Sequence, residues 1–333
     1  MDTTMDPAPT SVPEVQFWDA IVIGGGAAGL SAGVVLARAQ FATVVVDGGA
    51  PRNGPAGAMH GFLTRDGMPP ALFVATGAAE FTRFGGTLVQ ASAVQACRTA
   101  DGSFEVRLDD ERVLRARSVL VATGLTDELP DIPGLSERWA SVVHHCPHCH
   151  GYEVRDRNVV VIGSPMAAVS MHLAALMRRY TSSVTFCTNG IEVGHTERQR
   201  LAAYGVRMID GRVREIVEDD CASGELASIR LENGETLLCD AIFVAPRPIP
   251  HDAILTALGA TADPASGLIP VDSQGATGIP GLWAAGNVVN PRAQVITAAS
   301  AGSVAAIGMT GWLLAGELSS AVAHSAVIGG GDR

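Results

Sequence analysis

The chain has 333 residues, of which 47% are hydrophobic and 17% are charged, so it is long enough for two domains with separate cores. The formal net charge is -11 and no basic block offsets it, which argues against a nucleic-acid partner or an anionic membrane surface.

The N-terminal segment, residues 1–17, is acidic and rich in proline and contains no apolar run. It predicts a disordered leader and not a signal peptide. Without export, we expect a cytoplasmic protein, and structural disulfides are rare in that reducing compartment. Cys97, Cys187, Cys221 and Cys239 are isolated along the chain and are interpreted as ordinary packing or surface thiols.

The stretch "WDAIVIGGGAAGLSAGVVLARAQFATVVVDGG" predicts a strand, a tight turn, a helix and a second strand. Its Gly24, Gly26 and Gly29 form Gly-x-Gly-x-x-Gly, and Asp47 follows 18 positions after the last of these glycines. The glycines allow a pyrophosphate to approach the backbone at a helix N-terminus, and the acidic side chain accepts hydrogen bonds from a ribose. This combination predicts a dinucleotide-binding domain.

A second unit of the same kind follows. Residues 118–134 predict an apolar strand that runs into a Pro-containing crossing segment, and residues 158–188 predict another strand, turn, helix and strand. Residues 240–246 predict a strand that returns the chain to the first domain, and residues 278–306 predict a final strand, turn and helix. The predicted fold is α/β with two Rossmann-like three-layer domains, one over residues 18–126 and 248–333 and the other over residues 127–247.

The final helix contains 22 residues without a charge, from Val295 to Gly316, which is long enough to span a membrane. Four glycines, two serines and two threonines interrupt this run, and it has few large aliphatic side chains. We therefore predict a buried helix with close backbone packing and no membrane contact.

The segment "HHCPHCHGYE", residues 144–153, concentrates cysteine and histidine. Cys146-x-x-Cys149 followed by His150 matches a c-type haem attachment motif, a pair of metal ligands or a redox dithiol. Haem c attachment normally follows export, and a structural zinc site usually has a second, distant pair of ligands, which this chain lacks. The context favours the redox dithiol and predicts no metal site.

Taken together, these motifs resemble the low-molecular-weight thioredoxin reductase family of flavoproteins over nearly the whole chain after residue 17. The resemblance rests on the glycine turn, on Ala122-Thr123-Gly124, on the Cys-x-x-Cys pair, and on residues 281–286 and 294–297. It implies FAD as cofactor, a homodimer, and Gln294 and Val295 beside the flavin ring. The FAD-binding residues that it implies, together with those of the glycine turn, are Gly24, Gly26, Ala27, Ala28, Gly29, Asp47, Gly48, Arg52, Asn53, Val94, Ala122, Thr123, Gly124, Gly286, Asn287, Gln294 and Val295. Asn287 stands where the family usually has Asp.

The inner unit, residues 127–247, departs from the family pattern where a reductase would bind NADPH. Pro165 replaces a glycine of the nucleotide turn, which removes a backbone donor and adds a side chain where a pyrophosphate would lie. Thr188-Asn189-Gly190 stands where a reductase carries the His-Arg-Arg residues that bind the 2′-phosphate of NADPH. We therefore predict a degenerate NADPH-type domain that does not bind NADPH productively.

A flavoprotein with a dithiol and no nicotinamide site resembles the branch of the family that oxidises dithiols of natural products, as in gliotoxin, holomycin and romidepsin formation. His150 in the dithiol segment and the run "MHGFLTRDG", residues 59–67, also resemble that branch. The resemblance implies oxidation of a small-molecule dithiol by dioxygen, with hydrogen peroxide as by-product. It assigns exchange with substrate to Cys146 and electron transfer to FAD to Cys149.

A thiol is mostly protonated at neutral pH, so a histidine base would assist the exchange. His150 is the first candidate and His145 the second, followed by His144 and His148, and each of them is alternatively a hydrogen-bonding loop residue. His60 is expected either to line the substrate pocket or to have a structural role. Two further functions remain open: a thioredoxin-type reductase fed by a donor such as ferredoxin, and a non-catalytic flavin redox sensor.

Overall fold

The computed structural model describes residues 16–218 and 227–329. Most of the predicted leader and Cys221 lie outside these ranges, whereas Phe17, at the end of that leader, begins the first strand. The strands, in chain order, are β1 (Phe17–Ile23), β2 (Thr43–Asp47), β3 (Thr87–Gln90), β4 (Ala93–Arg98), β5 (Phe104–Leu108), β6 (Val113–Val121), β7 (Leu125–Glu128), β8 (Val143–His144), β9 (Val159–Ile162), β10 (Val184–Cys187), β11 (Arg207–Ile209), β12 (Val213–Glu218), β13 (Ala227–Leu231), β14 (Thr236–Cys239), β15 (Ala241–Val244), β16 (Arg247–Pro250) and β17 (Leu282–Ala284). The helices are α1 (Ala27–Arg38), α2 (Pro70–Arg83), α3 (Pro147–His150), α4 (Ala167–Met177), α5 (His195–Ala203), α6 (Ala253–Ala257) and α7 (Val295–Gly329).

The first sheet has the strand order β3-β2-β1-β6-β5-β4, and β17 also pairs with β6. Strands β3, β2, β1, β6 and β17 are parallel, while β4 and β5 run antiparallel. Successive side chains of a strand point to opposite faces. In β1, Ala20 and Val22 therefore pack with α1 and α7, whereas Ile21 and Ile23 pack with α6. The sheet thus lies between two layers, as predicted for a Rossmann-like domain.

The second sheet is fully parallel, with the order β11-β10-β9-β15-β8. Val159 and Val161 of β9 face α4 and α5, and Val160 and Ile162 face the antiparallel sheet of β12, β13 and β14. Parallel strands covered on both faces read as continuous apolar runs, which is why β9, β10 and β15 could be predicted from sequence.

The two sheets are joined by an antiparallel pair, β7 with β16, through which the chain enters and leaves the inner domain. Thr123 donates through Oγ1 to the carbonyl of His251 at 2.7 Å and so ties the two crossings together. The first sheet takes its strands from residues 17–121 and 282–284 and the second from residues 143–244.

Helix α7 differs from the prediction of a buried helix. Its first half packs closely on α1, since a Cβ at Gly302 would lie 1.9 Å from the carbonyl oxygen of Ala28. It then continues past Gly316 to Gly329, and Ile307, Leu314, Leu318 and Val322 are 51–71% exposed. By length and composition this helix could cross a membrane, although a third of its most apolar window is buried in the protein. In the second half of the helix, Leu313 is buried and Glu317 forms an ion pair with Arg117, whereas the described side chains beyond Glu317 are all exposed.

Candidate functional site

The glycine turn between β1 and α1 has the backbone geometry that close approach of a phosphate requires. Gly24 has a φ of +106°, which favours glycine, and a Cβ at Gly29 would lie 1.8 Å from the carbonyl oxygen of Gly24. A Cβ at Gly26 would have no atom within 4 Å, because this residue faces an open cavity. The backbone N–H of Gly25 donates to Oδ1 of Asp47 at 3.0 Å, which fixes the acidic side chain beside the turn.

A cavity of about 750 Å³ extends from this turn to the Cys-x-x-Cys segment. Most of the predicted FAD-binding residues line it, namely Gly24, Gly26, Ala27, Ala28, Asp47, Arg52, Asn53, Ala122, Thr123, Gly124, Gly286, Asn287, Gln294 and Val295. Gly29 lies beneath the turn, and Gly48 and Val94 do not line the cavity. Val94 is 57% exposed on β4, so the structure does not place it at this site.

The residues present fit a dinucleotide such as FAD. The start of α1 offers backbone donors and the positive end of the helix dipole toward the open side of Gly26, where a pyrophosphate would be stabilised. Asp47 leaves Oδ2 available for a ribose, and the N-terminus of α7 borders the other end of the cavity.

Arg52 and Asn287 line the cavity, but their side-chain N–H groups are hydrogen-bonded to other residues of the protein. The guanidinium of Arg52 makes two hydrogen bonds with the carboxylate of Asp127, at 2.8 and 2.7 Å, and a third with the carbonyl of Pro291 at 3.1 Å. Nδ2 of Asn287 donates to the carbonyls of Asn290 and Ala293, at 3.0 and 2.9 Å. A carboxylate has no N–H to donate to these carbonyls, which gives a structural reason for Asn in place of the usual Asp.

Cys146 and Cys149 form a disulfide, with their Cα atoms 5.2 Å apart, at the start and within the single turn of α3. Both residues line the cavity and are half-buried. The Nε2 atom of Gln294, at the start of α7, lies 4.0 Å from Sγ of Cys149. Cys149 is therefore the cysteine in contact with the α7 end of the cavity. Among the described residues, no group of three or more His, Cys, Asp or Glu side chains has the geometry of a metal site.

Three histidines of the dithiol segment are held neutral by burial. His144 is 7% exposed, and its ring stacks on that of His150 with centroids 4.4 Å apart. Burial lowers the pKa of His144 to about 3 and that of His145 to about 4, and it also lowers the pKa of His150, which Glu153 partly opposes. His145 stacks on Trp139. Nδ1 of His144 and of His150 has no hydrogen-bond partner among the described residues. His148 lines the same cavity and is exposed.

His60 connects the loop of residues 59–68 to the dithiol segment. Its Nδ1 lies 3.3 Å from Oδ2 of Asp66, and its Nε2 lies 3.6 Å from Oε1 of Glu153. Asp66 also accepts a hydrogen bond from the backbone of Gly61 at 2.8 Å. His60 lines the cavity and lies close to two carboxylates.

The corresponding turn of the inner domain borders a cavity of about 460 Å³, but its polar groups are hydrogen-bonded within the protein. Ser164 is 1% exposed, and its Oγ accepts a hydrogen bond from the backbone N–H of Met166 at 3.2 Å. Asn189 donates through Nδ2 to the carbonyl of Gly163 at 3.0 Å and accepts through Oδ1 from the N–H of Val213 at 2.9 Å. A Cβ at Gly163 would lie 2.2 Å from the carbonyl oxygen of Thr188. In a nucleotide-binding turn such groups face a phosphate, but here they are hydrogen-bonded to other groups of the protein.

Several cavity residues were not predicted from the sequence: Phe73, Asp127, Trp139, Val169, His172 and Leu176. The spacing of residues 169, 172 and 176 places them on one face of α4, which is a signal that could have been read. No sequence pattern joins α4 to α2 or to the dithiol, because that proximity depends on how the two domains pack.

Comparison with known proteins agrees with the fold. The family described as "Pyridine nucleotide-disulphide oxidoreductase" matches residues 18–302. The chain is 33% identical over 230 residues to thioredoxin reductase tcpT of Claviceps purpurea (strain 20.1), covering 67% of this chain and 71% of the relative. It is 27% identical over 306 residues to thioredoxin reductase sirT of Leptosphaeria maculans, covering 88% and 94%. The crystal structure of HlmI is similar with a TM-score of 0.88 and 41% identity, covering 93% of this chain and 97% of the other.

Proposed function

The chain belongs to the pyridine nucleotide-disulphide oxidoreductase family, and from this we propose that it is an FAD-dependent oxidase of a small-molecule dithiol, with dioxygen as electron acceptor. One observation carries the proposal. The Cys146–Cys149 disulfide borders the cavity that begins at the first nucleotide turn, whereas the polar groups of the second turn are bonded to each other. This arrangement supports electron entry from a thiol and not from a nicotinamide.

The proposed exchange takes place at Cys146, since Cys149 is the cysteine in contact with Gln294. One substrate thiolate forms a bond with Sγ of Cys146, and the bond between the two cysteines breaks to release the thiolate of Cys149. The second substrate thiolate then attacks the substrate sulfur of this mixed disulfide. The substrate leaves as a cyclic disulfide, having lost two electrons and two protons, and the enzyme retains two reduced cysteines.

When bound, FAD would accept two electrons from the reduced cysteine pair and deliver them to dioxygen, which becomes hydrogen peroxide. The glycine turn and Asp47 would hold its phosphates and ribose, and Gln294 and Val295 would border its ring.

We assign the role of base to His150. A base is most effective when its pKa lies near the working pH, and a positioned base contributes ~10²–10⁴-fold. Burial lowers the pKa of His144 to about 3 and that of His145 to about 4, which makes both weak proton acceptors. The pKa of His150 is also lowered by burial, but Glu153 opposes the shift, and the residue is adjacent to Cys149.

The direct test is to incubate the purified yellow protein with a dithiol in air while recording oxygen consumption and hydrogen peroxide. We expect one hydrogen peroxide for each substrate disulfide formed. A parallel reaction supplies NADPH and a disulfide, and rapid NADPH oxidation there would contradict the proposal. Turnover of a protein disulfide with reduced ferredoxin, together with no oxygen consumption, would instead identify a reductase with another donor. Flavin reduction without turnover in either reaction would identify a redox sensor.

We also propose that the protein forms a homodimer through the exposed half of α7. Ile307, Leu314, Leu318 and Val322 recur at helical spacing along one face, and Trp312 is 38% exposed nearby. A self-complementary apolar stripe of this kind suits a two-fold interface. Leu314→Glu combined with Leu318→Glu should convert the dimer to a monomer in light-scattering measurements, and a wild-type monomer in detergent-free buffer would exclude the interface.

The proposed location is the cytoplasm. Cys97, Cys187 and Cys239 are free thiols, which supports a reducing compartment.

A further inference from the structure

The segment that carries the two cysteines continues into a turn with a carboxylate, Glu153, three residues after His150. The N–H of Gly151 donates to the carbonyl of Pro147 at 2.7 Å, so this turn follows α3 directly. It is closely packed, since a Cβ at Gly151 would lie 2.7 Å from Cε2 of Tyr180. The backbone between His150 and Glu153 is therefore held in place by neighbouring structure.

The side chain of Glu153 is linked to the first domain through His60. Nε2 of His60 lies 3.6 Å from Oε1 of Glu153, and Nδ1 of the same ring lies 3.3 Å from Oδ2 of Asp66. Asp66 is fixed in turn by the N–H of Gly61, which donates to its Oδ1 at 2.8 Å. His60 lines the cavity of the dithiol, so its contact keeps the carboxylate of Glu153 at the edge of that cavity.

The groups around His150 that can carry a charge come, among the described residues, from three parts of the chain. His144 and His145 lie at the end of β8 and just after it, and the ring of His144 stacks on that of His150 with centroids 4.4 Å apart. His60 belongs to the loop of residues 59–68, and Glu153 belongs to the turn. Of these four, only Glu153 is negative, and a negative charge favours a protonated imidazole whereas a positive charge disfavours it. Burial lowers the pKa of His150, Glu153 opposes this change, and His60 adds to it.

A base in a partly buried site needs compensation for the charge that it acquires. When His150 takes the proton of a substrate thiol, the thiolate attacks Sγ of Cys146 and an imidazolium remains behind. Nδ1 of His150 has no hydrogen-bond partner among the described residues, so no protein acceptor at that atom stabilises the charge. The carboxylate of Glu153 is the protein group whose charge can do so.

We propose that Glu153 is a positioning residue for His150: its carboxylate stabilises the imidazolium that forms when His150 accepts the proton of the substrate thiol, and His60 keeps that carboxylate beside the base. This inference rests on the proposed function, in which His150 is the base.

The test follows reduction of the Cys146–Cys149 disulfide of the holoenzyme by dithiothreitol without oxygen, with alkylation of the freed thiols and mass spectrometry as the readout. From about pH 4 to about pH 7 the thiols of dithiothreitol are almost fully protonated, so the rate depends on the base that takes their proton. The rate should decline toward acid as His150 becomes protonated, and the midpoint of this decline is the quantity to compare between variants.

Glu153→Gln keeps the size of the side chain and removes its charge. We expect the midpoint to move to lower pH, and the rate above the midpoint to fall by about threefold or more, because an imidazole of lower pKa is a weaker base. The side chain of Glu153 is 42% exposed, so water weakens its effect and the loss should be partial. Glu153→Asp retains the charge and should move the midpoint less. Glu192→Gln is the matched control, since it removes the same charge from an exposed residue of the inner domain that does not line the cavity.

Equal midpoints in Glu153→Gln and Glu192→Gln would overturn the inference. A lower rate in Glu153→Gln with an unchanged midpoint would also overturn it, because that result indicates a structural role. Failure of the proposed function looks different. If the acidic decline persists in His150→Gln, the base lies elsewhere and both proposals fail. If the midpoints shift as expected but no oxygen is consumed in air, only the proposed use of dioxygen fails.

Discussion

The Nε2 atom of Gln294 lies 4.0 Å from Sγ of Cys149, although 145 residues separate them in the chain. The contact brings the N-terminus of the last helix to Cys149. The two cysteines therefore have different surroundings, as expected if Cys146 exchanges with substrate and Cys149 passes electrons to FAD. We call this division of roles the relay.

Replacement of either cysteine should therefore stop turnover. Cys146→Ser and Cys149→Ser should each lower the rate of dithiol-dependent oxygen consumption by ~10³-fold or more, because neither variant can form the cysteine disulfide. Both should retain the yellow cofactor, since neither residue belongs to the glycine turn. With Cys146→Ser as the matched control, an active Cys149→Ser enzyme would refute the relay.

A substitution at Gly26 should remove the cofactor without unfolding the protein. No protein atom lies within 4 Å of a Cβ at this position, so the side chain of Gly26→Val would project into the space for the pyrophosphate. We expect a folded, colourless protein, as judged by flavin absorbance and circular dichroism. Gly316→Val is the control, because a Cβ there would meet only Nη2 of Arg117 at 3.6 Å. Equal flavin content in the two variants would contradict this prediction.

Loss of the base should affect the rate and its pH dependence together. His150→Gln should lower kcat by about 10²-fold or more, and His145→Gln by less. Burial lowers the pKa of His150, so its neutral form persists below the ordinary value of 6.5 and wild-type activity should decline only in more acidic solution. In His150→Gln this acidic decline should be absent. Rates measured from about pH 5 to about pH 9 test this expectation, and an unchanged profile in the variant would assign the base elsewhere.

His144 should make the folded state sensitive to acid. Its pKa is about 3 in the folded protein and 6.5 for an ordinary histidine, so unfolding takes up a proton between these values. The free energy of unfolding should therefore decrease as the pH falls below 6.5, by roughly 1.4 kcal/mol for each pH unit. His144→Phe keeps a buried ring without the titration, so its thermal midpoint should depend less on pH. Parallel curves for the variant and the wild type would show that another group is responsible.

Much of the fold could be predicted from local sequence, because strands covered on both faces are continuous apolar runs and nucleotide turns need glycines at fixed spacing. β1, β2, α1 and β17 were all located from such patterns. The length of α7 was less well predicted, because apolar composition does not distinguish a buried face from an exposed one.

The amino-acid sequence by itself determined two nucleotide-type units, one with an intact turn and one interrupted by Pro165, together with a cysteine pair between them. Only the tertiary structure decided that Gln294 contacts Cys149, that Arg52 is occupied by Asp127, and that residues of α2 and α4 line the same cavity as the dithiol. The physical reason is the separation along the chain of the residues that interact. Turn geometry and strand burial depend on residues close together in the chain, whereas the cavity is formed by segments that meet only when the two domains pack.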